Sequence, residues 1–356
     1  MLADHKAGGS SPLGVAQQFE ACRRCLTRMT DDRIPRRRIG DSDLEAGAVG
    51  VGTWQWGDRR YWDDHDGQEP TDIDATYDAT IGRGADFLDT AELYGFGESE
   101  RVIGKLRADD SRPAVVATKY MPSPTRWRVR SVDAAIDGSL KRLGVDRIDH
   151  YQVHWPYSVI PHRRLLSQLA RAVHDGRLAY VGVSNFTEPQ MRRAHAVLAD
   201  AGVPLVSNQV SYSLLRRAPE VNGVLEAAHE LDITLVAYSP LAQGLLSGKY
   251  GPGGRQPRSR PMRRVLRAKT PETVMPLLET LRRIGDSVGA TAGQIAVAWT
   301  LRDSAVLPIV GARTAGQAES NADAAMIEID DEALRELDAK SRAYRTAGPL
   351  ARRLRG

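Results

Sequence analysis

"GVGTWQWG", residues 50–57, follows the first apolar run of the chain and decides between two α/β folds. A doubly wound dinucleotide-binding sheet needs G-x-G-x-x-G here, opening at once into a helix whose N-terminus receives a pyrophosphate. Gly50, Gly52 and Gly57 have a different spacing, and no helical pattern starts directly behind them. The open sheet therefore gives way to a closed one.

Outward from this turn, short apolar runs alternate with longer amphipathic stretches. After residues 48–52 come "DFLD" (86–89), "AVVAT" (114–118), "DHYQV" (149–153) and "AYVGV" (179–183). "VPLVSN" (203–208), "ITLVAY" (233–238) and "AVLPIV" (305–310) complete eight. Most are rich in valine or isoleucine and apolar at consecutive positions, as parallel strands buried on both faces require. Helical patterns lie between them. Residues 131–143 put Val132, Ile136, Leu140 and Leu143 on one face, with Gly144 as a stop. Residues 219–231, 272–288 and 291–302 are also expected to be helical. Eight such units predict an α/β fold, the (β/α)8 TIM barrel, with long loops at its ligand-binding end. Ahead of it, "RRRI-GDSD-LEAG" reads as a β-hairpin that closes the bottom of the barrel.

Bulk properties agree with a soluble globular chain. Of 356 residues, 49 are Lys or Arg and 45 Asp or Glu, a formal net charge of +4. That excess is too small to imply nucleic acid. No apolar run approaches the ~18 residues of a membrane span, and no secretory signal is expected. The two cysteines form "CRRC", Cys22 and Cys25, in a polar, arginine-rich leader. They lack a second pair for zinc and a thioredoxin-like strand for redox work. The expectation is a reduced, cytoplasmic protein with no structural disulfide. The predicted organisation is a flexible arm over 1–34, with Met29 as an alternative start, a barrel over 35–343 and a basic tail over 344–356.

Barrel chemistry sits at the C-terminal ends of the strands. Read one by one, those ends carry Asp89, Lys119, His154, Ser184-Asn185, Asn208-Gln209 and Ser239. Each has an ordinary structural reading, as a cap, a solvated charge or a packed histidine; together on one rim they define a site. "FLDTAELYG" (87–95) adds Tyr94 on the loop beyond Asp89. A phenol is a poor acid at neutral pH, but an adjacent ammonium stabilises its phenolate and is expected to pull its pKa down. A carboxylate keeps that ammonium in place, and an imidazole orients a substrate oxygen. Asp89, Tyr94, Lys119 and His154 supply one of each, suited to a carbonyl oxygen becoming an alkoxide. No metal-ligand spacing appears, so a hydride must come from a bound cofactor. Glu92 is read as a rim charge, because the set already has its carboxylate.

These residues resemble the aldo-keto reductases from about Ile39 to about Arg342. "GTWQWG", "FLDTAELYG", "ATKY", "YQVHWP", "GVSNF", "SNQVSYSLL", "AYSPLAQGLLSGKY" and "PIVGARTAGQAESN" occur in family order. The resemblance implies a catalytic set of Asp89, Tyr94, Lys119 and His154, with Tyr94 as general acid in carbonyl reduction, and NADPH as cofactor. By the same resemblance Thr53 and Trp54 touch the cofactor, Ser184, Asn185 and Gln209 hold its nicotinamide carboxamide, and Tyr212 stacks on the nicotinamide ring. Ser239, Leu241, Gln243, Gly244, Leu245, Ser247 and Lys249 follow along the pyrophosphate. Gly311, Arg313, Thr314, Gln317 and Asn321 hold the adenosine end. Ser320 stands where the family commonly has glutamate, and Gly311 and Gln317 where some members carry lysine and arginine. Arg313 is the residue suited to a 2′-phosphate. The arginine-rich segment 255–269 is either a clamp on the nucleotide or a solvated loop.

The motifs are most similar to a branch that includes pyridoxal reductase-like proteins. A small carbonyl compound, flat or apolar, is the expected partner, facing Trp54, Trp56, Met121, Trp127 and Trp155. Two other readings are kept: a nucleotide-binding regulatory subunit of the same fold, and a barrel lyase or isomerase with a phosphate site. Oligomeric state is left open.

Overall fold

The computed structural model describes residues 33–57, 70–249 and 271–345. The leader with Cys22, Cys25 and Met29, the loop 255–269 and most of the tail lie outside the described residues. Strands β1 (Arg36–Arg38) and β2 (Glu45–Gly47) form the antiparallel hairpin. Eight parallel strands then close a barrel: β3 (Gly50–Gly52), β4 (Phe87–Asp89), β5 (Val115–Tyr120), β6 (Ile148–Val153), β7 (Leu178–Ser184), β8 (Leu205–Ser211), β9 (Thr234–Tyr238) and β10 (Val306–Gly311). They follow in chain order, with β10 pairing β3 to complete the ring.

Against expectation a helix does begin directly behind the first strand, but α1 (Trp54–Gly57) is a single turn of four residues. The outer layer then runs α2 (Pro70–Gly82), α3 (Glu98–Arg107), α4 (Arg130–Leu143), α5 (His162–His174), α6 (Glu188–Ala199), α7 (Val224–Glu230), α8 (Pro271–Val288), α9 (Ala292–Thr300), α10 (Ala315–Asp323) and α11 (Asp331–Ser341). The stripe expected on residues 131–143 faces the core: Val132, Ile136 and Leu143 are buried, and Gly144 ends the helix in the left-handed region at φ 69°. The helix expected over 219–231 is interrupted. A short 3-10 turn, Ala218–Glu220, precedes α7, and Gly223 at φ 79° separates them, because a left-handed residue breaks the hydrogen-bond ladder.

The hairpin closes the barrel floor as expected. Its turn residue Ile39 is fully buried with Phe87, Val115, Ala117, Val206, Val236, Leu307 and Ile309. Sealing one such side chain contributes about 1.5–3 kcal/mol. Gly40 sits at φ 53°, where a Cβ would stand 2.3 Å from the Val206 carbonyl oxygen, so the tight approach needs glycine. Arg36 anchors the hairpin on buried Asp86 at 2.6 Å, and Asp86 also accepts from the Gly47 amide at 2.8 Å.

Above this floor the barrel interior becomes polar in tiers. The register aligns Ala117 of β5 with His150 of β6, and Lys119 with Gln152. The deeper tier holds His150, whose Nε2 is 2.9 Å from Ser207 Oγ and whose ring leans on Phe87. The next tier brings Asp89, Lys119, Gln152 and Gln209 together. Strand alternation explains the sorting: residues two apart on one strand face the same side.

Burial, aided by the Lys119 charge, pulls His150 down from 6.5 to about 3. A histidine kept neutral in the fold stabilises it fully above the unfolded value, and that contribution is lost as pH falls from 6.5 toward 3. Two units into that window the loss is about 2.5 kcal/mol. Denaturant melts at pH 7 and pH 4.5 should show His150→Gln losing less stability on acidification than the wild type, by about that amount.

Candidate active site

β4 and β5 lie side by side in register, with Asp89 opposite Ala117. Asp89 and Lys119 therefore leave neighbouring strands toward the same mouth. Lys119 is fully buried and Asp89 is 2% exposed. Lys119 Nζ donates to Asp89 Oδ2 at 2.6 Å, to the Thr90 carbonyl at 2.7 Å and to Tyr94 Oη at 3.3 Å. The other Asp89 oxygen, Oδ1, accepts from Gln209 Nε2 at 2.7 Å and from Gln152 Nε2 at 3.4 Å. A buried carboxylate thus has donors on both oxygens, as its desolvation demands.

Tyr94 starts the 3-10 turn Tyr94–Gly97, which continues through Gly95 at φ 58° and Phe96 at φ 56°. That reversal brings the tyrosine back over the barrel. Its ring stays partly open to solvent, while its hydroxyl lies deep, beside Lys119. Trp54 stacks on the Tyr94 ring at 5.5 Å, and His154 meets it edge-on at 5.9 Å. His154 follows β6 directly, its amide held by the Tyr120 carbonyl at 2.9 Å. Its Nδ1 is buried and has no hydrogen-bond partner among the described residues. The column of rings continues outward: Trp155 stacks on His154 at 6.3 Å, and Tyr157 on Trp155 at 6.0 Å.

The electrostatics differ from expectation at one point. Burial, reinforced by Asp89 and Tyr238, holds the Tyr94 phenol well above its ordinary value, and the nearby ammonium does not reverse this. Desolvation of the phenolate outweighs one attractive charge that Asp89 already engages. The phenol therefore stays protonated through the working pH range. Burial pulls Lys119 down, with Asp89 opposing. Burial and the Lys119 charge bring His154 to about 3, which leaves a neutral imidazole.

The remaining expected residues divide. Ser184 Oγ donates to the Gln209 carbonyl at 2.9 Å, and Asn185 Nδ2 donates to Ser184 Oγ at 2.9 Å and the His154 carbonyl at 3.2 Å. Asn185 lies at φ 62° and Ser239 at φ 55°, so non-glycine left-handed residues mark the ends of β7 and β9. Ala242 and Gln243 share that region, and Gly244 follows at φ 88°. Gln243 Oε1 is buried with no hydrogen-bond partner among the described residues. Leu241 is partly buried, while Ser247 and Lys249 are exposed. Past β10, Thr314 caps α10, Gln317 accepts from the Arg313 amide at 2.8 Å, and Asn321 reaches the Gly311 carbonyl at 3.3 Å. Met121 is partly buried and Trp127 is exposed beneath the Arg128 guanidinium.

Four expected ligand residues are built into the fold instead. Tyr212 is fully buried, packs on Trp299 at 5.4 Å and donates to Glu220 at 2.9 Å, so its ring does not reach the mouth. Leu245 lies in the same outer cluster. Thr53 is fully buried and ties β3 to β4 by donating to the Asp89 carbonyl at 2.9 Å. Trp56 is 4% exposed, with its indole N–H on the Ala312 carbonyl at 3.0 Å. Conversely, Tyr238 is an addition to the expected set: at the end of β9 its hydroxyl donates to Asn185 Oδ1 at 3.0 Å, beside the site. Its place immediately before Ser239 was the available signal.

An acid, an amine, a phenol and an imidazole thus converge at the C-terminal mouth of a closed parallel barrel. The chain belongs to the aldo/keto reductase family, whose profile matches residues 48–342. It is 37% identical over 301 residues to an uncharacterized oxidoreductase of Mycobacterium tuberculosis, covering 83% of this chain and 90% of that one. It is 32% identical over 304 residues to the chloroplastic pyridoxal reductase of Arabidopsis thaliana, covering 81% of each. Its fold is similar to the aldo/keto reductase of Klebsiella pneumoniae crystallised with NADP and acetate, at TM-score 0.68 and 27% identity, covering 89% of this chain and 96% of that one.

Glu92 is a clamp outside the reacting set. It accepts from the Met121 amide at 2.6 Å and from both Arg126 terminal nitrogens, fixing the loop after β5. Asp89→Asn should leave a buried ammonium without its counter-charge, costing about 3–5 kcal/mol in denaturant melts. Glu92→Gln keeps a polar partner for a half-open guanidinium and should cost about 1 kcal/mol. The opposite order would mean that Asp89 does not anchor Lys119.

Proposed function

We propose that this protein is an NADPH-dependent reductase of aldehydes or ketones, with Tyr94 as the general acid. The observation that supports it most is Lys119 Nζ placed between Asp89 Oδ2 at 2.6 Å and Tyr94 Oη at 3.3 Å, beneath a neutral His154. The cofactor's fit to this chain rests on the partnerless buried Gln243 oxygen and on the left-handed backbone at Asn185, Ser239 and Gln243. Such strain persists at sites whose surroundings fix it for a ligand. Asn185, Ser184 and Gln209 would hold the nicotinamide amide and Tyr238 would lie beside its ring. Gln243 and Ser239 would line the diphosphate, and Arg313 would take the 2′-phosphate. NADPH, when bound, supplies the hydride.

Everything else falls to the protein. His154 donates a hydrogen bond to the substrate carbonyl oxygen and sets it near Tyr94 Oη. Tyr94 gives its proton to that oxygen as the alkoxide charge develops. Lys119 then stabilises the phenolate in a site that excludes water, where one charge is worth more than in bulk. Asp89 holds the ammonium in line. The phenol's high ground-state pKa keeps it loaded as an acid.

The column Tyr94, His154, Trp155, Tyr157 favours a flat carbonyl compound lying along ring faces. The pyridoxal reductase relative supports pyridoxal as the first compound to try.

A panel of pyridoxal, aromatic and sugar-derived aldehydes, run with NADPH and NADH in parallel, tests the reading. Tyr94→Phe should lower kcat/KM by about 10²–10⁴-fold while NADPH still quenches protein fluorescence on binding. Because His154 stays neutral, kcat/KM should show no inflection near pH 6.5. Full activity in Tyr94→Phe would remove the proton-donor role.

A further inference from the structure

β6 and the residue directly behind it carry three polar side chains at alternate positions, His150, Gln152 and His154. His154 reaches the mouth and His150 rests on Ser207 in the tier below. Gln152 lies between them, fully buried, and neither the proton transfer nor the barrel floor uses it. Its Nε2 is 3.4 Å from Asp89 Oδ1 and its Oε1 is 3.4 Å from Gln209 Nε2, which is itself 2.7 Å from the same Oδ1. Two carboxamides thus share one carboxylate oxygen, while the other oxygen serves Lys119. Both Gln152 contacts are long, so they add little to holding the barrel together. Methionine would fill the space with no polar group to desolvate. The amide that stands there has Asp89 Oδ1 and the Gln209 amide as its partners.

We propose that Gln152 is a positioning residue: with Gln209 it holds Oδ1 of Asp89, so that Oδ2 alone faces Lys119 and less of the carboxylate's charge opposes the Tyr94 phenolate. This rests on Tyr94 as the proton donor. The titratable and charged groups that face the pair are Tyr94 above it, His150 and His154 from β6, Tyr238 from β9 and Glu100 from α3. Replacing Gln152 leaves all of them in place. Loss of one donor concentrates negative charge on Asp89, and the Gln209 amide loses an acceptor.

Gln152→Met keeps the volume, and Gln152→Leu serves as a second variant. In the cofactor-free protein, the Gln209 side-chain amide resonance, assigned by its loss in Gln209→Met, should move downfield as its bond to the more charged Oδ1 strengthens. With NADPH and an aldehyde, kcat should fall about tenfold and the alkaline limb of its pH profile should move to higher pH. The melting temperature should stay near wild type. An unmoved resonance, or unchanged kcat and pH limb in a folded variant, overturns the proposal. Unfolding of both variants also overturns it, since the amide would then be a structural group. A wild type that reduces no carbonyl would sink the reductase reading separately, and the cofactor-free resonance would still decide whether Gln152 holds Gln209.

Discussion

The structure depends on keeping a lysine ammonium charged where no water reaches it. Lys119 has no exposed surface, and three oxygens surround its nitrogen: a carboxylate, a backbone carbonyl and a phenol. Only the carboxylate carries compensating charge, and it must lose its own hydration to do so. All three oxygens come from the end of β4 and the loop behind it and the nitrogen from β5, so the cluster exists only once those two strands are paired in register. The coupling runs both ways. The buried carboxylate needs the ammonium as much as the ammonium needs the carboxylate, and both need the fold around them.

The barrel meets that requirement by separating its functions by height. Apolar side chains and the hairpin's Ile39 seal the floor. A tier with His150 and Ser207 follows, and then the carboxylate, amine and two amides. Rings line the mouth from Tyr94 to Tyr157. Below the reacting groups the low dielectric strengthens every charge interaction. Above them the aromatic faces offer contact area without competing hydrogen bonds. Left-handed residues cluster at the ends of β7 and β9, where the backbone turns sharply at the mouth.

How readable each part was follows from how local its cause is. The strand runs appeared because burial on both faces leaves consecutive apolar residues, and the observed strands match them to within three residues at either end. Asp89, Lys119 and His154 were legible because strand ends are positions along the chain. The failures were residues whose direction depends on a partner far away. Tyr212 turns outward because Trp299 and Glu220 receive it. Trp56 turns inward because the Ala312 carbonyl waits for its indole. Tyr94's acidity went the other way because burial outweighed a single nearby charge.

By itself the sequence determined the periodicity that closes a parallel barrel, the glycine pattern that excludes an open dinucleotide sheet, and the types of group available at each strand end. These depend on residues close together in the chain. Only the tertiary structure decided which oxygen each donor meets, which rings face the mouth, and how far each group's proton affinity moves. Those depend on distances between strands and on the exclusion of water, which arise only when the ring of strands is complete. Gln152 and Gln209 show the difference: 57 positions apart in the chain, they converge on one oxygen of Asp89.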